Sequence, residues 1–262
     1  MRAAASGTGW VRRAQPGLGT LVEVGVQAPS GAPSALQAEA LRAAWRVMQT
    51  VQSRMSVFEA DSDLSRLHRS APGEAVVLHP WTAEVLALAQ DVRDRSGGLF
   101  DVALGSGRWA LQRGAGHTLA VRLDASTRLD LGGLAKGWAV DRALEAVLTV
   151  GAQAAWVNAG GDLRVHGVRM PVYLRDEARG GARAWAEIEE GAMATSDLRA
   201  GARSALHAPS DAKGCHVSVA APRCALADAL TKVVAAAGSV TSPVVDDLLR
   251  HCGAQAWIHP DA

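Results

Sequence analysis

The segment 129–141, LDLGGLAKGWAVD, sets a carboxylate, Asp130, at the end of an apolar stretch, two glycines at the turn after it, and Lys136 just beyond. Three kinds of chemistry suit that spacing. Asp130 could accept hydrogen bonds from a bound heterocycle or hydroxyl. Gly132 and Gly133 let backbone approach a ligand or expose a carbonyl to a cation, and Lys136 could meet phosphate beside a helix N-terminus. The same pattern also suits a plain strand-turn-helix with a surface lysine. A second glycine turn, 158–162 (NAGGD), follows an apolar strand and either hugs a ligand or simply joins two strands. A third cluster, 227–232 (ADALTK), lies on an apolar helical pattern. There Asp228 and Thr231, at i and i+3, share a face as oxygen donors for a hard cation. An aspartate in so apolar a helix otherwise needs a partner.

Several shorter matches fail on their own chemistry. Asp61, Asp63 and Ser65 start like a calcium loop, but Arg66 stands where glycine is needed and Pro72 where the closing glutamate is. Neither common phosphate loop, G-x-x-x-x-G-K-[ST] or G-x-G-x-x-G, occurs. Gly105 and Gly107 around Ser106 do not make a nucleophile elbow. The eight histidines lack zinc spacing. Cys215, Cys224 and Cys252 are an odd number without a C-x-x-C pair, which indicates neither a disulfide framework nor a zinc ribbon.

The elements that must position these residues fill 262 positions, enough for one large domain or two small ones. The balance of 27 basic to 26 acidic residues leaves a formal charge of +1, so no global field points to nucleic acid or an anionic membrane. No run reaches the roughly 18 apolar residues of a membrane span. Of the 27 basic residues only Lys136, Lys213 and Lys232 are lysines, so a compact ammonium is used sparingly.

After a tail of about 15 residues, alternation at Val22, Val24 and Val26 predicts a strand over 20–27. Helical spacing with Leu41, Trp45, Met48 and Met55 on one face predicts a helix from Ser34 to Met55. Asp61 or Ser62 caps a short helix, and Pro80–Arg95 forms another that stops at Gly97. Residues 105–116 read as a glycine-rich exposed loop, followed by short strands at 119–123 and 127–131 and a helix from about Leu134 to Leu148. Strands follow at 154–157, 163–166, 172–175 and 184–188. Then come a strand at 217–221, a helix at 225–236, a helix from Pro243 and a strand at 256–258. Helices and strands mix without a strict βα repeat, which predicts an α+β fold.

In order, these segments resemble the ApbE family of FAD:protein FMN transferases, from about Gly17 to Ile258. The resemblance rests on 18–20 (LGT), 55–62 (MSVFEADS) with 65–67 (SRL), 97–101 (GGLFD), 130–137 (DLGGLAKG), 158–162 (NAGGD), 194–196 (ATS), 217–222 (VSVAAP) and 227–230 (ADAL). It implies a single two-lobed, T-fold-like α+β domain over 17–262, with a mainly antiparallel sheet and a flexible tail over 1–16. It also implies an enzyme that moves the FMN half of FAD onto a Thr or Ser hydroxyl of an acceptor flavoprotein, releasing AMP with the help of Mg²⁺. Leu18, Phe58, Leu99, Phe100, Asp101, Asp130, Lys136 and His207 would form the FAD site. The Gly133 carbonyl, Asp228 and Thr231 would surround the metal, and Asp228 and His207 would serve catalysis.

Three departures from the family pattern stand out. The family's metal helix usually has Thr four residues after its Asp, and here that position is Lys232, whose ammonium cannot ligate Mg²⁺ and could occupy the metal's place or repel it. Thr231, one residue earlier, is the substitute. The family's His-x-x-Asp-Pro segment is represented by 205–209 (ALHAP), with Ala205 and Ala208 at its two polar positions and His207 displaced by two. The following stretch, 210–216, is shortened. Two other readings therefore stand beside the transferase: a hydrolase giving FMN and AMP, and a catalytically silent FAD binder. Arg12 and Arg13 fall where a secretion signal needs an apolar stretch, and no lipid-anchoring Cys precedes the domain, which predicts a cytoplasmic location, with a periplasmic one as the alternative for a truncated start.

Overall fold

Val22, Val24 and Val26 are fully buried along β2 (Thr20–Gln27), as their alternation predicts. The opposite face of β2 is covered too. Gly25 lies directly across from Trp156, and a Cβ at position 25 would stand 2.2 Å from the indole nitrogen, so glycine is what lets the ring lie flat on the strand. A computed structural model describes residues 9–33, 35–175, 181–198 and 216–259. Within them β2 belongs to a seven-stranded antiparallel sheet ordered β1-β2-β6-β7-β10-β11-β12. The added strands are β1 (Trp10–Gly17), β6 (Ala154–Ala159), β7 (Asp162–His166), β10 (Gly191–Asp197), β11 (His216–Ala221) and β12 (Gln255–His259).

One face of this sheet carries the helices α1 (Ala35–Met55), α4 (Ala135–Thr149) and α5 (Cys224–Ala237), which also pack on one another. Leu41, Ala44, Met48, Val51 and Met55 make the buried stripe of α1. α5 is apolar nearly all round and correspondingly enclosed. The other face is partly covered by the hairpin β8 (Met170–Arg175) and β9 (Ala182–Ile188), over a small core of Trp156, Val165, Ile188 and Met193. α6 (Pro243–His251) packs on α5 and leads into β12.

The second lobe holds α2 (Asp63–Arg69), α3 (Pro80–Arg95) and a three-stranded sheet ordered β3-β5-β4, from β3 (Ala75–Val77), β4 (Trp109–Arg113) and β5 (Thr118–Arg122). Its Leu64, Leu67, Val85 and Leu86 join the same buried cluster as β2 and α1, so the two lobes share one core. The α+β expectation holds.

Some boundaries differ from the sequence reading. Residues 10–16, placed in the tail, pair along β2 as an edge strand; the polar run VRRAQP hid it, and Arg12 bonds to Glu23 across the pair. Residues 127–131 form no ladder, because the Leu129 N–H donates to His68 Nε2 (2.8 Å) and the Asp130 N–H to the Val102 carbonyl (2.8 Å). The glycine-rich stretch contains β4. The small residues of β10 and the short β3 had suggested no strand.

Candidate functional site

The chain 129–141 turns into α4 without a side-chain cap on Leu134 and with no acidic residue in the first turn. The Leu134 and Ala135 amides turn back to the Leu131 carbonyl (3.0 and 2.8 Å), and the Gly137 amide is met from a distance. Asp228, fully buried on α5, accepts from the Gly137 N–H at 3.3 Å. α5 in turn lacks its own cap and is held by α4: Asp141 accepts from the N–H groups of Cys224 (2.8 Å) and Ala225 (3.0 Å) and pairs with Arg164 (2.9 Å). Each helix thus caps the other with a buried carboxylate, which fixes their mutual position.

Two lysine–carboxylate pairs lie at this junction. Lys136 is paired with Asp162, at the start of β7, and Lys232 with Asp228, one turn earlier on α5. Lys232 Nζ also donates to Ser196 Oγ on β10 at 3.0 Å. Burial, and then the charge of Asp228, raise the Asp162 carboxyl to about 7 despite the two ammonium groups. Burial works against the charge of Asp228 as well, but Lys232 and Lys136 outweigh it and hold that carboxyl below its ordinary value. Burial likewise opposes the Lys136 charge, and Asp162 and Asp228 overcome it, so the ammonium is held above its usual range. Burial pushes the Cys224 thiol well up, which makes it a packing residue rather than a nucleophile.

The NAGGD turn delivers Asp162. Gly160 and Gly161 have φ of +61° and +104°, and Asn158 Oδ1 accepts from the Gly161 N–H at 3.1 Å. A Cβ at Gly160 would lie 2.3 Å from Thr20 Oγ1, so this turn sits directly on the 18–20 turn. Thr20 also lines a cleft of about 550 Å³ with Pro16, Gly17, Gly19, Leu21 and Gln52. Leu18 adopts φ +53°, unusual for a side chain of its size, and its N–H donates to Gln52 Oε1 at 3.2 Å. Gln52 Nε2 then donates to Glu59 (3.2 Å), beside Phe58, which is 83% exposed. Leu18 and Phe58, distant in sequence, are thus linked through Gln52 along one edge.

On the other side, the Asp130 N–H bond to Val102 brings the 97–101 loop against the start of α4. Asp130 is exposed and its Oδ1 accepts from the Gly132 N–H at 2.7 Å. Asp101 accepts from the Ala103 (2.9 Å) and Gly105 (3.3 Å) amides and lies 3.7 Å from Arg93. Leu99 is partly buried. Phe100 is only 1% exposed and belongs to the core, against which Leu99 also packs, whereas Asp101 is part-exposed. His207 lies outside the described residues, as do Ala205 and Ala208.

The residues expected to hold Mg²⁺ do not fit it as they stand. Asp228 Oδ1 is taken by Lys232 and Oδ2 faces the Gly137 N–H. Thr231 turns its hydroxyl back to the Asp228 carbonyl (2.7 Å) and to Ser196 Oγ (2.7 Å). A hard cation needs several free oxygens and tolerates no ammonium among them. Among the described residues no group of three or more His, Cys, Asp or Glu could hold a metal. The sequence reading passed over Asp162, Ser196 and Gln52 as participants. Asp162 and Ser196 lie inside quoted motifs, yet nothing in local spacing ties them to Lys136 or Lys232.

The family model for the ApbE family matches residues 18–247, and the chain belongs to that family. The flavin transferase ApbE from Vibrio cholerae is similar in structure, with a TM-score of 0.73 at 20% identity over 95% of this chain and 93% of that one. The apo form of the Pseudomonas stutzeri flavinyl transferase ApbE gives a TM-score of 0.75 at 17% identity over 95% and 90%. The ApbE protein from Thermotoga maritima gives 0.75 at 21% over 95% and 94%. No curated protein sequence matches the chain.

Proposed function

We propose that this chain transfers the FMN half of FAD to a Thr or Ser hydroxyl of an acceptor flavoprotein and releases AMP. The observation that carries the reading is the meeting of three separate segments at one place: the 18–20 turn on the 158–162 turn, and Asp162 of that turn on Lys136 at the start of α4. In this reading the flavin and adenine rings lie along the edge from Phe58 and Leu18 to Leu99 and Asp130. The pyrophosphate lies near the first turn of α4, beside Lys136. An arriving phosphate adds negative charge next to Asp162, which already titrates near 7, so Asp162 takes up a proton and Lys136 turns its charge to the phosphate.

Transfer balances simply. The acceptor oxygen attacks the phosphorus of the FMN half, the bond from that phosphorus to the bridging oxygen breaks, and that oxygen leaves with AMP. The hydroxyl proton passes to a base, for which His207 is our assignment.

The test is incubation of the protein with FAD and a flavoprotein domain carrying an acceptor Thr, reading AMP by chromatography and flavin mass on the acceptor. Both products together support transfer. AMP without labelling replaces it with hydrolysis, and tight FAD binding with neither product replaces it with a silent binder.

A further inference from the structure

We infer that the Lys232 ammonium, fixed between Asp228 and Ser196, is the resident countercation of this site, and that nucleotide binding and turnover in this chain need no divalent metal. The inference rests on the flavin-nucleotide reading above. Its first support is placement. Lys232 is 4% exposed, and a lysine is buried only where its charge is met, because an unpaired ammonium in the interior costs several kcal/mol. Here it is met on two sides, by the Asp228 carboxylate from its own helix and by Ser196 Oγ at 3.0 Å from β10.

The second support is the state of the oxygens around it. Both oxygens of Asp228 and the hydroxyl of Thr231 already have partners, so a divalent ion would have to displace the ammonium and then sit within a few ångströms of it. The third is residue choice. In a chain with 24 arginines and three lysines, two of those three stand at this junction. An ammonium is a compact point charge that fits where an ion would, whereas a planar guanidinium does not. Lys136 supplies a second positive charge on the other side of Asp162, whose carboxyl feels both ammonium groups.

The experiment uses the full chain and reads three things separately: FAD affinity by flavin fluorescence, Mn²⁺ binding by electron paramagnetic resonance, and AMP release with acceptor. Each is measured in EDTA and in millimolar Mg²⁺. We expect FAD affinity to differ by less than about twofold between the two conditions, no stoichiometric Mn²⁺ binding, and AMP release that survives EDTA. Lys232→Thr, which removes the ammonium and leaves a short oxygen donor, should lose about tenfold or more in FAD affinity in EDTA, regain it with Mg²⁺, and bind Mn²⁺. Wild-type FAD affinity or turnover that collapses in EDTA and returns with Mg²⁺ overturns the inference, whether or not the variant folds. Metal-independent FAD binding without AMP sustains the countercation and sinks the transferase. AMP release that requires Mg²⁺ does the reverse.

Discussion

Gly137 of α4 lies against the backbone carbonyl of Cys224 of α5: a Cβ at position 137 would stand 2.4 Å from that oxygen and 2.9 Å from the Cβ of Asp228. Neither neighbour is the loose end of a side chain, so an added methyl must push the helices apart. Gly137→Ala should therefore destabilise the fold by about 1–3 kcal/mol, against the small gain that alanine brings to a helix. It should weaken FAD binding as well, since the Gly137 amide and the Asp228 carboxylate move apart. A thermal melt with a parallel FAD titration checks this, and an unchanged melting temperature would refute the close contact.

Asp141 offers a cleaner test of the helix junction. It caps α5 through two amides and holds Arg164. Asp141→Ala uncaps the helix and leaves the Arg164 guanidinium with Glu145 alone (3.3 Å), an expected loss of about 2–4 kcal/mol in urea unfolding. Asp141→Asn keeps an oxygen for one amide and should lose less.

Asp162 predicts a pH dependence. Its carboxyl is raised from 3.8 to about 7 in the folded chain, so folding favours its protonated form. The stability this contributes is complete below the unfolded value and is lost as pH rises through the folded one. Compared with Asp162→Asn, the wild-type chain should lose stability between about pH 4 and 7 and change little above that range. Parallel urea midpoints across pH would show it, and superimposable profiles would rule it out.

His68 works in the opposite direction. Its Nε2 accepts the Leu129 N–H and so holds the segment that presents Asp130. Burial, followed by Arg128 and Arg122, depresses its protonation. A protonated ring cannot accept that bond, so the stability it provides is present above pH 6.5 and is lost as pH falls through the lower folded value. The advantage of wild type over His68→Ala in melting temperature should shrink in mild acid.

The long periodic elements were legible from residue order alone, α1 from its apolar stripe and β2 from its alternating valines, and the cap of α2 was narrowed to Asp61 or Ser62, of which the bond to the Ser65 N–H selects Ser62. The Asp228–Lys232 pair was legible only in part: the sequence reading gave Asp228 to a cation with Thr231 and had Lys232 occupy that cation's place or repel it, without pairing the two. The partner of Lys136 was not, because Asp162 reaches it only through the docking of the β6–β7 turn on α4. Gln52 was hidden for a similar reason. It sits among polar residues of α1, and only the fold brings it under the strained Leu18. Edge strand β1 escaped because exposed pairing places no apolar demand on its side chains.

The bonds that build the charged junction span long stretches of chain: 26 positions from Lys136 to Asp162, 36 from Ser196 to Lys232, and 91 from Gly137 to Asp228. Contacts so distant close late, since each must overcome the entropy of the loop it seals. No single hairpin or helix pair carries the site, and a nascent or truncated chain that lacks α5 has the Lys136–Asp162 pair without Asp228 and Lys232. During refolding, helical circular dichroism should return before nucleotide competence does, which makes flavin fluorescence a clock for the last docking event.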